Sequence, residues 1–193
     1  MTIPTQDERT SAQETLEYIR QTMESASSFT AVSGWGMSVV GGVGLLAAGV
    51  AARLENQADL SLWIPTMVLA IAVAGIANTV KANRMHVPLW SGSFRKLAWV
   101  MAPILLAGGV LTYALANAGQ QALLPGTWLA LYGAGVTAGG TLSVRAIRTM
   151  GVVLLVFGAA ALLRPVWGLP LLAAGFGAVH IAFGLLVVRR HGG

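Results

Sequence analysis

The sequence predicts an all-α membrane protein: a bundle of six transmembrane helices grouped as three helical hairpins, behind an amphipathic cytoplasmic helix. Three observations predict it. Of the 193 residues, 55% are hydrophobic and only 10% are charged, against about 25% in an average soluble domain. With a mean hydropathy of +0.71, the chain lacks the polar surface that water requires, and a bilayer is the solvent that fits. There are also 24 glycines; glycine is a poor helix former in water but lets membrane helices approach closely. Finally, six apolar stretches follow one another, and none has Asp, Glu, Lys or Arg in its interior.

The first 33 residues form a polar segment with no apolar core of the signal-peptide kind. Residues 1–10 read as disordered. Ser11 to Glu14 matches a capping box, which satisfies the free N–H groups at a helix start. Ala12, Leu16, Ile19, Met23 and Ala26 then recur at spacings of four and three, one apolar stripe of an amphipathic helix over about 11–29. Its outer face is acidic, with Glu14, Glu17 and Glu24. A helix built to lie on anionic lipid would be basic. Leu16, Ile19 and Met23 are therefore expected to dock on protein: another copy, a partner helix or the chain's own basic loops.

The transmembrane domain is expected over 34–188, with spans at 34–52, 62–80, 97–116, 124–144, 149–163 and 168–188 and a tail at 189–193. About 20 apolar residues cross a bilayer; the short fifth span reaches if Arg148 and Arg164 snorkel to opposite interfaces. Orientation follows from the basic residues, ten of the twelve of which share one side: Arg9, Arg20, Lys81, Arg84, Arg95, Lys96, Arg145, Arg148, Arg189 and Arg190. Only Arg53 and Arg164 fall on the other. The positive-inside rule places the basic side, and both termini, in the cytoplasm. It also accounts for the net charge of +5 without nucleic acid. Trp63, Trp128 and Trp167 near the outer ends, and Trp35, Trp90 and Trp99 near the inner ends, fit interfacial belts.

Each pair of spans reads as an ascending helix, a short outer turn and a descending helix followed by basic residues. The turns share chemistry: Trp63-Ile64-Pro65, Pro125-Gly126-Thr127-Trp128 and Pro165-Val166-Trp167. Each places a proline at or just before a helix start, where its missing N–H costs nothing. In the last hairpin, Gly151 to Gly158, Leu163-Arg164-Pro165, and Gly177 to Gly184 ahead of Arg189-Arg190 resemble the hairpin unit of the HdeD-like family. Those are small six-helix bacterial inner-membrane proteins linked to acid stress. The resemblance implies a bacterial inner-membrane location and a stress-related role.

His180 is the sharpest chemical candidate, because it is the one clearly ionisable side chain deep in a span. It could relay protons or sense pH, or it could simply be hydrogen-bonded to a neighbouring carbonyl or hydroxyl. Thr137 and Thr141 of the fourth span, with Thr112 and Tyr113 of the third, could line a polar path; equally, their hydroxyls could bond their own helices. Tyr132 shares a face of the fourth span with Trp128, Gly135 and Gly139, and Gly135-xxx-Gly139 is a small-xxx-small packing motif. Glycines also recur at seven residues: Gly34 and Gly41, Gly42 and Gly49, Gly151 and Gly158, Gly168 and Gly175, Gly177 and Gly184. That spacing keeps one face toward a partner.

Other chemistries are disfavoured. There is no cysteine, which removes disulfides, thiolates and Cys-type metal sites. His86 and His191 lie at the cytoplasmic edge and cannot pair with His180. Lys81 and Lys96 are also at that edge, which argues against a retinal Schiff base. No phosphate loop, triad or paired-carboxylate site is legible, and no cofactor is expected. The chain is expected to be a non-enzymatic structural or accessory membrane component, in contact with lipid and associating with copies of itself or a membrane partner. A small transporter or channel near His180 and the Thr/Tyr residues is the competing expectation.

Overall fold

The computed structural model of the chain describes residues 15–16, 32–85, 92–143 and 145–191, with the side chains of 92–94, 142 and 191 excepted. The elements over residues 32–191 are all helical: α1 (Gly34–Ala51), α2 (Leu60–Arg84), α3 (Gly92–Asn117), α4 (Leu124–Gly139), α5 (Arg145–Leu163) and α6 (residues 168–191). α6 is continuous but uneven, with Gly168–Leu172 and His180–His191 regular and Ala173–Val179 wound as a π-helix. Most of the N-terminal helix expected over 11–29, including Ile19 and Met23, lies outside the described residues. Thr15 and Leu16 are helical, and Leu16 is 66% exposed.

Local signals set the helix ends. Ser33 caps α1, its Oγ accepting from the Gly36 N–H at 3.1 Å, and Asp59 caps α2 by accepting from the Ser61 N–H at 2.9 Å. α3 stops at a left-handed residue, Gly119, with φ +70°. Around it the Gln120 N–H donates to the Leu115 carbonyl and the Gly119 N–H to that of Ala116, the paired bonds of a Schellman motif. Because Asp59 starts α2 earlier than expected, Pro65 lies inside the helix rather than at its start, where it forgoes one helical hydrogen bond.

Among the described residues five helices are long and apolar enough to cross a bilayer. α4 is the exception to the expected six. It has 16 residues, a rise of about 24 Å at 1.5 Å per residue, where the hydrocarbon core is about 30 Å thick. Gly139 and Gly140 weaken the helix, and residues Gly140–Leu142 tighten into a 3-10 turn, so the expected span to 144 is cut short.

Each expected hairpin packs as a pair, α1 on α2, α3 on α4 and α5 on α6, but the most extensive seams join α4 to α5 and α1 to α6. α1, α4, α5 and α6 form the core, around Ala47, Leu129, Leu154, Leu172 and Val187. α2 and α3 are flanks, with 6% and none of their apolar stretches buried.

Glycine explains both main seams. Gly126 and Gly133 of α4 and Gly140 of the turn after it recur at seven residues, and a Cβ on any of them would strike the α5 backbone. From α5, Gly151 and Gly158 meet Thr137 and Ala130 in the same way. In the α1–α6 seam, a Cβ on Gly34 would lie 2.5 Å from the Gly184 carbonyl oxygen, and one on Gly184 2.6 Å from that of Gly34. Gly177 packs under Leu45 of α1, while Gly135 and Gly139 receive Met101 and Leu97 of α3. Such approach lets dispersion replace the hydrophobic effect that lipid cannot supply. Gly42 and Gly49 differ: nothing lies within 4 Å of where their Cβ atoms would be, so that pair serves no seam among the described residues.

The antiparallel packing sorts charge. Lys81, Arg84, Arg95, Lys96, Arg145, Arg148, Arg189 and Arg190 fall at one end of the bundle. Arg53, Arg164, Glu55 and Asp59 fall at the other.

Candidate functional site

α4 and α6 bring Tyr132 and His180 together inside the core. His180 is 3% exposed and follows directly on the π-helical stretch. Where the ladder returns to α-helix, the His180 backbone N–H turns to the Gly177 carbonyl, and its imidazole Nδ1 lies 2.8 Å from the carbonyl oxygen of Gly175. A carbonyl only accepts, so Nδ1 carries the proton and donates. In that singly protonated ring Nε2 accepts, and the Tyr132 hydroxyl donates to it at 3.3 Å, long against a usual O–H···acceptor distance of about 2.7–2.8 Å. The second bond is therefore the weaker. The rings stack, with centroids 5.7 Å apart and planes at 25°, and Phe176 lies against both at 5.3 and 5.8 Å.

The local sequence explains why this site can form. Gly175 has no side chain, and a Cβ there would meet Leu129 at 2.6 Å and Leu154 at 3.0 Å; its absence lets α6 sink between α4 and α5. Gly44 of α1 does the same from the other side, against the Phe176 carbonyl. π-helical turns inside α-helices occur frequently at functional sites, and here the turn presents the Gly175 carbonyl to His180. The arrangement holds the tyrosine proton toward Nε2 across a long, weak hydrogen bond. Around Gly175 the packing is apolar: Leu129, Leu154 and Phe157.

The structure does not join the other expected residues to this pair. The Thr137 hydroxyl donates to Gly133 of its own helix at 2.7 Å and packs against Gly151. Thr141 is exposed and donates to the Ala138 carbonyl at 2.7 Å. Thr112 donates to the Gly108 carbonyl at 2.7 Å and accepts from the Trp128 indole N–H at 2.9 Å. Tyr113 is 72% exposed on the outer face of the α3 flank. The threonine hydroxyls thus each turn back onto a helix. Among the described residues every buried side-chain nitrogen or oxygen has a hydrogen-bond partner, and no three His, Asp or Glu residues gather as a metal site.

A second polar cluster escaped the sequence reading. At the basic end, the Ser33 N–H donates to Asn78 Oδ1 at 2.8 Å, and the buried Lys81 donates through Nζ to the Val32 carbonyl at 3.1 Å. It ties the start of α1 to the end of α2. The only sequence signal was a polar face at Asn78 and Lys81, spaced three apart at the end of an otherwise apolar helix. At the opposite end Trp63 and Trp128 meet with centroids 6.0 Å apart, and the Trp63 indole donates to the Gln57 carbonyl at 2.9 Å.

Comparison with protein-family models, with curated proteins and with solved structures found no match to this chain.

Proposed function

We propose that the chain is a non-enzymatic structural or accessory component of a bacterial inner membrane, working by association with copies of itself or with another membrane protein. The observation that carries this reading is the position of α2 and α3, which flank a four-helix core with 6% and none of their apolar stretches buried. Two helices so little used by the fold leave broad faces for neighbouring protein or lipid. A stress-related role rests on the likeness of the last hairpin to the HdeD-like family.

In this reading all six helices cross the membrane and both termini are cytoplasmic. The 3-10 turns Gln121–Leu123 and Gly140–Leu142 flank α4; at about 2 Å per residue they add roughly 12 Å and bring it to bilayer thickness. The basic end, with eight of the ten Lys and Arg residues of 32–191, faces the cytoplasm by the positive-inside rule. A transporter or channel along Thr112, Tyr113, Thr137, Thr141 and His180 is weakened by the closed hydroxyls of the threonines.

Cross-linking in native membranes, followed by native mass spectrometry, tests the proposal. Covalent oligomers or one recurrent membrane partner are expected, and monomers alone with no partner would overturn it. Flux of protons, common ions or small neutral solutes through proteoliposomes, above that of empty vesicles, would replace it with the transporter reading.

A further inference from the structure

The chain carries two opposed charge blocks, and the structure fixes the point where they join. Residues 1–31 hold five carboxylates, Asp7, Glu8, Glu14, Glu17 and Glu24, against Arg9 and Arg20, a net charge of −3. The rest of the chain has ten basic and two acidic residues, a net charge of +8. Those two acids, Glu55 and Asp59, lie at the far end of the bundle. At the near end Arg84, Arg95, Lys96, Arg145, Arg148, Arg189 and Arg190 are all exposed, and no carboxylate faces them among the described residues.

The entry point of the N-terminal segment is held at that same end. Val32 and Ser33 are clamped by Lys81 and Asn78 at 3.1 and 2.8 Å, which anchors the first described residues of the bundle at the end that carries the exposed basic side chains. We propose that the N-terminal segment folds back on its own basic bundle end, with Glu14, Glu17 and Glu24 seated against the arginines contributed by α2, α3, α5 and α6.

Length and geometry suit this. A helix over 11–29 is about 28 Å long at 1.5 Å per residue, enough to cross two to three packed helices. Glu14, Glu17 and Glu24 lie on one side of such a helix and Leu16, Ile19 and Met23 on the other, by the period of 3.6. Seating the acidic side leaves the apolar stripe facing away. A short tether also supplies an effective concentration in the millimolar range, so individually weak ion pairs suffice, and they are salt-sensitive. The segment then competes with anionic headgroups for the basic end. This proposal stands independently of whether the bundle self-associates.

The test uses the full chain in phosphatidylcholine nanodiscs at low salt, with carbodiimide coupling of carboxylates to amines mapped by mass spectrometry. Lys96 is one probe; Arg145→Lys and Arg189→Lys add amines without changing charge. Links from these lysines to Glu14, Glu17 or Glu24 are expected within single chains, falling at least tenfold in 0.5 M salt. A Glu8→Gln/Asp7→Asn control should keep them, because those residues precede the seated face. Links found only in covalent dimers would assign the segment to a second copy. Their absence would leave the basic end to lipid headgroups alone. Either result overturns the proposal.

Discussion

Replacing Gly133 with alanine tests the central packing claim. A Cβ there would lie 2.8 Å from the Leu154 carbonyl carbon and 2.9 Å from the Gly151 carbonyl oxygen. Both are backbone atoms of α5, so no side chain can swing aside. Contact distances of about 3.5–4.0 Å require α5 to retreat by roughly 0.6–1 Å, and a gap of that size forfeits a quarter to a half of the attraction at each affected atom pair. Overpacking of this kind costs about 1–3 kcal/mol, while alanine returns about 0.8–1 kcal/mol of helix propensity. With rigid backbone on both sides, the net is a loss of up to about 2 kcal/mol. Gly42→Ala is the internal control: nothing lies within 4 Å of its Cβ position, so only the propensity gain acts, and the sign reverses. Unfolding of the purified protein by dodecyl sulfate in mixed micelles, followed by far-ultraviolet circular dichroism, reads both. Gly133→Ala should unfold at lower detergent than the parent and Gly42→Ala at equal or higher. Equal shifts in one direction would show that the α4–α5 seam does not depend on glycine contact.

Four further outcomes are expected in the same titration or beside it. His180→Phe keeps the ring against Tyr132 and Phe176 but removes the side-chain donor to the Gly175 carbonyl; the loss should be about 0.5–1.5 kcal/mol. Tyr132→Phe should cost less, and a double-mutant cycle with His180→Phe should return a coupling of about 0.5–1.5 kcal/mol; zero coupling would remove the 3.3 Å bond from the account. Gly119→Ala places a side chain at φ +70° with no steric neighbour, so a loss of about 1–2 kcal/mol would report backbone strain alone, and an unchanged midpoint would contradict the Schellman end of α3. Asn78→Leu leaves the Ser33 N–H without its 2.8 Å partner; amide exchange at Ser33 should rise at least tenfold while that of α5 stays unchanged.

How far the sequence could be read depended on the range of the forces involved. The helices at α1, α2, α3, α5 and α6 were legible because each apolar run decides its own solvent, residue by residue. The caps at Ser33 and Asp59 are likewise local, though the sequence reading named neither, and Asp59 moves the start of α2 ahead of Pro65. The seven-residue glycine spacing was visible, but not its use. Gly34 with Gly41 and Gly177 with Gly184 face each other across α1 and α6, whereas Gly42 and Gly49 have the same spacing and face nothing.

Of the candidate site, His180 was legible as an ionisable group in an apolar run. Its hydrogen bond to Gly175 was not, because it depends on the π-helical winding of Ala173–Val179, which follows from α6 settling between α4 and α5. Tyr132 stood on the expected face of α4 with nothing in the sequence to select its partner.

Composition and charge order alone determined that the chain suits a bilayer, is helical and is basic at one end, because transfer energy and charge count add along a chain without regard to what touches what. Tertiary structure decided that α4 joins α5 and α1 joins α6, that α2 and α3 stand outside, and that one tyrosine meets one histidine. Those outcomes depend on which glycine-bared surfaces approach within van der Waals distance, and that is a property of faces distant in sequence.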